Sequence, residues 1–145
     1  MKPWLLDTNL LVALLWPAHE AHRAAQQWFK AQQRAGWATC PITQSGFVRI
    51  VSNPRFSRDA VSPREARARL QENLTSAQHR FLPASLPFAE AVLPFVARLQ
   101  GHQQVTDAYL LGLALHHRAR VATFDRGVGT LAGPDYGSAV NVLAG

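Results

Sequence analysis

The sequence predicts an α/β fold: a three-layer α/β/α sandwich around a central parallel sheet of four or five strands. Short apolar, strand-like runs alternate along the chain with longer segments of helical periodicity. Strands joined through helices close right-handed crossovers, and these build a parallel sheet covered on both faces. Hydrophobic residues make up 48% of the 145, enough for one core, and no linker-like stretch divides residues 1–145, so a single domain is expected.

Trp4–Leu6 is a short apolar run ending in Asp7 and reads as the first strand. Thr8 is positioned to cap a helix over Asn9–Trp16, which Pro17 ends. In His19–Ala35, the residues Ala21, Ala24, Ala25, Trp28 and Phe29 recur at helical spacing, and Gly36 stops that helix. Trp37–Cys40 reads as the second strand. Pro41 opens a helix over Ile42–Val51, and after a loop at Arg55–Ser62 the segment Pro63–Ser76 is a polar amphipathic helix. Arg80–Leu82 reads as the third strand, Ala89–Leu99 as a helix with a boundary or kink near Pro94, and Gln103–Ala119 as a helix. Val121–Phe124 is the fourth strand. Gly127, Gly129, Gly133 and Pro134 mark a loop, and Ala139–Leu143 is the fifth strand.

Composition narrows the function. The formal net charge is +6 and the sequence pI about 10.7, which favours a polyanionic partner such as nucleic acid or a strongly acidic protein, though net charge alone also fits solubility. Cys40 is the only cysteine, so no internal disulfide forms. The longest apolar runs fall far short of a membrane span, and the N-terminal stretch lacks the pattern of a signal peptide. A cytoplasmic protein without a membrane partner is expected.

The chain has nine acidic residues, few enough to follow one by one. In an open parallel sheet, chemistry collects beyond the carboxyl ends of the strands. Asp7 follows the first strand directly and Asp125 follows the fourth. Asp107 lies in the first turn of the helix leading into that fourth strand, so it returns to the same edge. Gln44 occupies the first turn of the helix after the second strand. Three carboxylates and a carboxamide are therefore expected to converge. Like charges raise one another's pKa unless a cation lies between them, and hard oxygen ligands suit Mg²⁺ or Mn²⁺. Such an ion, keeping some of its waters, suits hydrolysis of a phosphodiester. Taken singly, Asp7 and Asp125 also fit strand-end turns, and Asp107 fits a first-turn residue facing the helix dipole.

The segments Leu5-Leu6-Asp7-Thr8-Asn9, Val105-Thr106-Asp107-Ala108-Tyr109-Leu110 and Ala122-Thr123-Phe124-Asp125-Arg126 resemble the acidic motifs of PIN domains, in the family's order. Cys40–Arg49 resembles the second motif of that family, and the likeness is closest to VapC-type toxins. The resemblance implies a PIN-like fold and Mg²⁺-dependent (or Mn²⁺-dependent) endonuclease activity on RNA. It also implies a homodimer and inhibition by a VapB-type antitoxin. It assigns Asp7, Asp107 and Asp125 to the metal and Gln44 to the catalytic set. Thr123 matches a polar residue beside the site, Asn9 follows the first acid as in the family, and Arg49 matches the arginine after the second motif; the three are candidate substrate contacts, and Arg49 fits a structural salt bridge equally well. Many PIN domains carry Glu where this chain has Gln44. At about 4 Å and an effective dielectric near 20, a unit charge pair is worth about 4 kcal/mol before desolvation. Weaker metal binding is therefore expected, as is a lower Mg²⁺ requirement in Gln44→Glu. The competing function is a catalytically weak or inactive PIN-like module that binds RNA or protein. A receiver-type phosphoacceptor is disfavoured because the only lysines, Lys2 and Lys30, precede every late strand.

The remaining residues read as structural. His19 and His22 are three apart, not the four that a helical zinc motif requires. His116 and His117 close a helix, and His102 is a loop residue. Arg64, Arg67 and Arg69 suit a solvated helix face, with an RNA-backbone role as second choice. The four tryptophans suit core or dimer-interface positions, with Trp16 and Phe47 as candidates for a dimer contact.

Overall fold

The computed structural model describes residues 1–145. Its centre is a five-stranded, wholly parallel sheet in the order β3-β2-β1-β4-β5. The strands are β1 (Trp4–Leu6), β2 (Trp37–Thr39), β3 (His79–Phe81), β4 (Arg120–Thr123) and β5 (Val140–Val142). After β1 the chain builds outward through β2 and β3, then returns to lay β4 on the other side of β1. The strand order thus reverses between β1 and β4, and a crevice opens beyond their carboxyl ends.

Side-chain alternation divides the core in two. Trp4 and Leu6 of β1 face α1 (Thr8–Leu15), α2 (His22–Ala31), α3 (Pro41–Val51) and α4 (Pro63–Leu74). Leu5 faces the other layer, made of α5 (Phe88–Val92), a 3₁₀ turn over Leu93–Arg98, α6 (Val105–His116) and α7 (Arg126–Tyr136). Each leucine in these clusters contributes about 1.5–3 kcal/mol when fully buried. Gly112 of α6 lies against α5 so closely that an added Cβ would stand 2.0 Å from the Ala91 carbonyl oxygen.

The five strands fall within about a residue of their expected places. Three local expectations are corrected. Asp7, not Thr8, caps α1: its backbone is extended and its Oδ1 accepts the Leu10 N–H at 3.0 Å. The second helix begins only at His22, because His19 Nδ1 accepts the Ala21 N–H and holds a turn ahead of it. The boundary expected near Pro94 is present, the helix over Phe88–Val92 giving way to 3₁₀ geometry at Leu93, beside a proline that lacks an N–H. The expected loop after β4 is α7, helical up to a break at Gly133 (φ 62°), with Val128, Leu131 and Ala132 buried. Trp16 and Phe47 are 3% and 1% exposed and belong to the core, so neither is available for a dimer contact.

Candidate active site at the β1–β4 crevice

Asp7 is the most constrained acid. Leu6 pairs with Ala122, so the next residue of each strand, Asp7 and Thr123, stand side by side. Alternation turns Asp7 away from the face of Leu6 and toward the layer that holds α6. Its Oδ1 caps α1, and its Oδ2 accepts a hydrogen bond from Thr123 Oγ1. It is only 7% exposed, and burial raises its pKa above the ordinary 3.8. The bonds from Thr123 and Leu10 oppose that rise, and the charge of Asp125 adds to it.

Asp125 caps α7, its Oδ1 accepting the Gly127 N–H at 2.7 Å. Its own backbone N–H donates to Thr123 Oγ1 at 2.9 Å. One buried threonine hydroxyl thus ties the end of β1 to the end of β4. Asp107 enters from the first turn of α6, behind a 3₁₀ turn over His102–Gln104 that points the helix N-terminus at the crevice. Burial pushes its pKa up to about 7, reinforced by the charges of Asp7 and Asp125 and by a hydrogen bond with Asp125. Asp7, Asp107 and Asp125 therefore form one electrostatically coupled group.

Their chemistry fits a hard divalent cation. Asp7 and Asp107 are raised by burial and, after it, by the negative charge of their acidic neighbours, and no arginine or lysine is paired with any of the three acids. The three do not form a closed cluster able to enclose an ion by themselves. Mg²⁺ takes few protein ligands and keeps several waters, so the acids would hold it only with water completing its shell.

Gln44 departs from the expectation. Its Nε2 donates to Thr39 Oγ1 at 2.9 Å, and that hydroxyl also meets His79 Nε2 at 2.7 Å. Thr39 lies on the β2 face opposite the one Asp7 uses, so the amide is directed toward β3 and hydrogen-bonds none of the acids. Gly46 of α3 packs against Thr8, the neighbour of Asp7: an added Cβ there would lie 2.5 Å from the Thr8 side chain. Arg49 likewise stands apart from the acids, in a groove between α3 and α4. Asn9 is exposed in the first turn of α1, its Oδ1 3.3 Å from His19 Nε2. Arg64 and Arg67, expected on a solvated face, share the groove with Arg49. Their three-residue spacing on one helix face is the signal that relates them.

Two further histidines have structural partners: His22 Nδ1 lies 2.7 Å from the Ala13 carbonyl and His117 Nε2 2.8 Å from that of Pro83. Cys40 is buried.

Comparison with known proteins agrees with this geometry. The PIN domain family model matches residues 4–133. Ribonuclease VapC38 of Mycobacterium tuberculosis is 43% identical over 128 residues, spanning 88% of this chain and 89% of that protein. Ribonuclease VapC44 of the same species is 39% identical over 130 residues, spanning 90% and 91%. Among solved structures, VapBC2 from Rickettsia felis, bound to a DNA fragment from its promoter, superposes with a TM-score of 0.66 at 11% identity, covering 97% of this chain and 98% of that one. A toxin–antitoxin complex from Klebsiella pneumoniae gives 0.58 at 21% identity, covering 96% of each chain. At these identities the two structures speak for the fold. A three-layer α/β/α sheet with its acids at the β1–β4 crevice, a family model spanning most of the sequence and full-length relatives near 40% identity all lead to one assignment: the chain belongs to the PIN-domain family, in its VapC group.

Proposed function

We propose that this protein is a divalent-metal-dependent endoribonuclease, the toxin of a VapBC-type toxin–antitoxin pair acting in the cytoplasm. The observation that carries the reading is the gathering of Asp7, Asp107 and Asp125 at the strand-order reversal, with Asp107 raised to about 7 by burial and then by the charges of the other two. A bound Mg²⁺ (or Mn²⁺) supplies charge neutralisation for the scissile phosphodiester and acidifies a water. Thr123 fixes the Asp7 carboxylate. Asp107, raised to about 7 in the absence of a cation, would ionise as the ion binds and would hold it together with Asp7 and Asp125. The net charge of +6 draws the polyanion toward an otherwise repulsive acidic crevice.

Inhibition by a VapB-type antitoxin and a homodimer complete the reading. The relatives named VapC and the complexed structural neighbours support the first. For the second, Phe88, Leu93 and Val96 are 45%, 69% and 54% exposed, and they offer an apolar surface that Trp16 and Phe47 do not. No helix is long and apolar enough to cross a membrane. A non-cutting PIN-like module is the second reading, favoured by the turn of Gln44 away from the acids. Sequencing of RNA ends after induced expression separates the two: new cut sites that vanish in Asp7→Asn support the nuclease, and unchanged ends support the binding module.

A further inference from the structure

Beside the acidic crevice, α3 and α4 enclose an open groove of about 980 Å³. Its floor includes Val48 and Leu70, and Arg49, Arg64 and Arg67 line it with Gln44. No acidic residue takes part in the lining, and the chain's one salt bridge, Arg69 to Glu65, lies elsewhere on α4. Three guanidinium groups without carboxylate partners are therefore gathered in one channel, each on an exposed residue.

The channel is joined to the crevice by the fold itself. Gln44 sits in the first turn of α3, just beyond the carboxyl end of β2, and β2 pairs directly with β1. Gly46, one turn before Arg49 (three residues), brings α3 against Thr8, the neighbour of Asp7. Gln44 and Ser45, at the start of α3, place one end of the groove on the sheet edge that carries the crevice, so a nucleic acid strand with one phosphate at Asp7 and Asp107 would run on between α3 and α4 toward Arg49, Arg64 and Arg67. No aromatic side chain lines the groove, so it lacks the platform on which unpaired bases stack. Planar guanidinium groups are suited to bidentate contact with phosphate.

We infer that the groove between α3 and α4, carrying Arg49, Arg64 and Arg67, holds the phosphate backbone of single-stranded RNA flanking the scissile bond. The inference rests on the nuclease reading for the choice of RNA. It assigns the groove to affinity and placement and leaves sequence choice to contacts elsewhere, because phosphate contacts carry no base information.

The test is binding of a short, fluorescein-labelled, mixed-sequence single-stranded RNA, followed by anisotropy in EDTA across a range of salt. EDTA separates the result from hydrolysis, and cleavage in Mg²⁺ is scored independently in the same proteins. Each lost phosphate contact on a single strand lowers the slope of log K against log salt by about 0.7. Arg49→Ala/Arg64→Ala/Arg67→Ala is therefore expected to flatten the slope by about 2, and the matching triple lysine variant to retain most of it. Arg23→Ala/Arg34→Ala/Arg80→Ala removes the same charge from exposed positions outside the groove and is expected to change the slope much less. Equal loss in the two alanine triples would overturn the inference in favour of bulk charge. An unchanged slope in the groove triple would also overturn it, and would leave the channel to a protein partner if that variant instead lost antitoxin binding. A parent that binds RNA with this pattern but never cuts would count against the nuclease reading and not against the groove.

Discussion

Thr123 Oγ1 donates a hydrogen bond to Asp7 Oδ2, and the same oxygen accepts the Asp125 N–H at 2.9 Å. The hydroxyl therefore does two tasks: it keeps a buried carboxylate oriented toward the crevice and fixes the loop that presents Asp125. Thr123→Val, which keeps the shape and removes the hydroxyl, is expected to cost about 1–3 kcal/mol of stability through the groups left unpaired. Cleavage is expected to fall about 10–100-fold, measured with the folded variant at saturating Mg²⁺. Thr123→Ser is expected to restore most of both, which a purely volumetric role for the methyl group does not predict.

Asp7 serves as helix cap and as acid, and the two tasks separate by substitution. Asparagine is as good an N-cap as aspartate, so Asp7→Asn is expected to fold normally with most nuclease activity gone. Asp7→Ala is expected to lose activity and, in addition, about 0.5–2 kcal/mol of stability. Urea unfolding beside a cleavage assay distinguishes the outcomes.

The raised pKa of Asp107 fixes the sign of a pH effect. Its folded value of about 7 exceeds the ordinary 3.8, so between those limits the folded chain holds more proton than the unfolded one. Stability of the metal-free protein therefore falls as pH rises through that window, and Asp7 acts in the same direction. Melting in EDTA is expected to show a Tm that declines from about pH 5 to about pH 8. Asp107→Asn is expected to flatten that decline. Added Mg²⁺ is expected to raise Tm most at the alkaline end, where the carboxylates are free to bind it.

Gln44→Glu tests the outward turn of the amide. Glutamate cannot donate to Thr39, and its charge would face the Thr39–His79 pair and not the acids. The expected result is a Mg²⁺ requirement for half-maximal cleavage that stays within about twofold, with a rise in the His79 pKa followed by NMR. A sharp fall in the Mg²⁺ requirement would place position 44 at the ion after all.

Gly112→Ala sets helix propensity against packing. Alanine favours the helix by about 1 kcal/mol, yet its Cβ would meet the Ala91 carbonyl oxygen at 2.0 Å, and backbone cannot swing aside as a flexible side chain can. A net loss of about 1–3 kcal/mol is expected in urea unfolding.

The acids were legible in the sequence because strand ends and the first turn of a returning helix fix position along one sheet edge, whatever the side-chain rotamer. Asp7, Asp107 and Asp125 needed nothing finer. Gln44 did: a helical residue turns by about 100° per step, and only the contacts of α3 with β2 decide that its amide meets Thr39. Helix α7 was masked by Gly127, Gly129, Gly133 and Pro134, which read as loop residues. Its apolar residues Val128, Leu131 and Ala132 nevertheless stand at i, i+3 and i+4, and burial of that stripe with the Asp125 cap outweighs the poor propensity. The cap of α1 was displaced by one residue because Asp7 and Thr8 are both good capping residues, and only the extended backbone of Asp7 decides between them.

The central claim is that Asp7, Asp107 and Asp125 jointly hold a divalent cation, and calorimetric titration of the metal-free protein with Mn²⁺ or Mg²⁺ tests it most directly. The account predicts saturable binding that tightens as pH rises through about 7, releases proton to the buffer, and is lost or greatly weakened in Asp7→Asn, Asp107→Asn and Asp125→Asn. Binding of unchanged affinity in any of these folded variants, or no saturable binding in the parent, would contradict it.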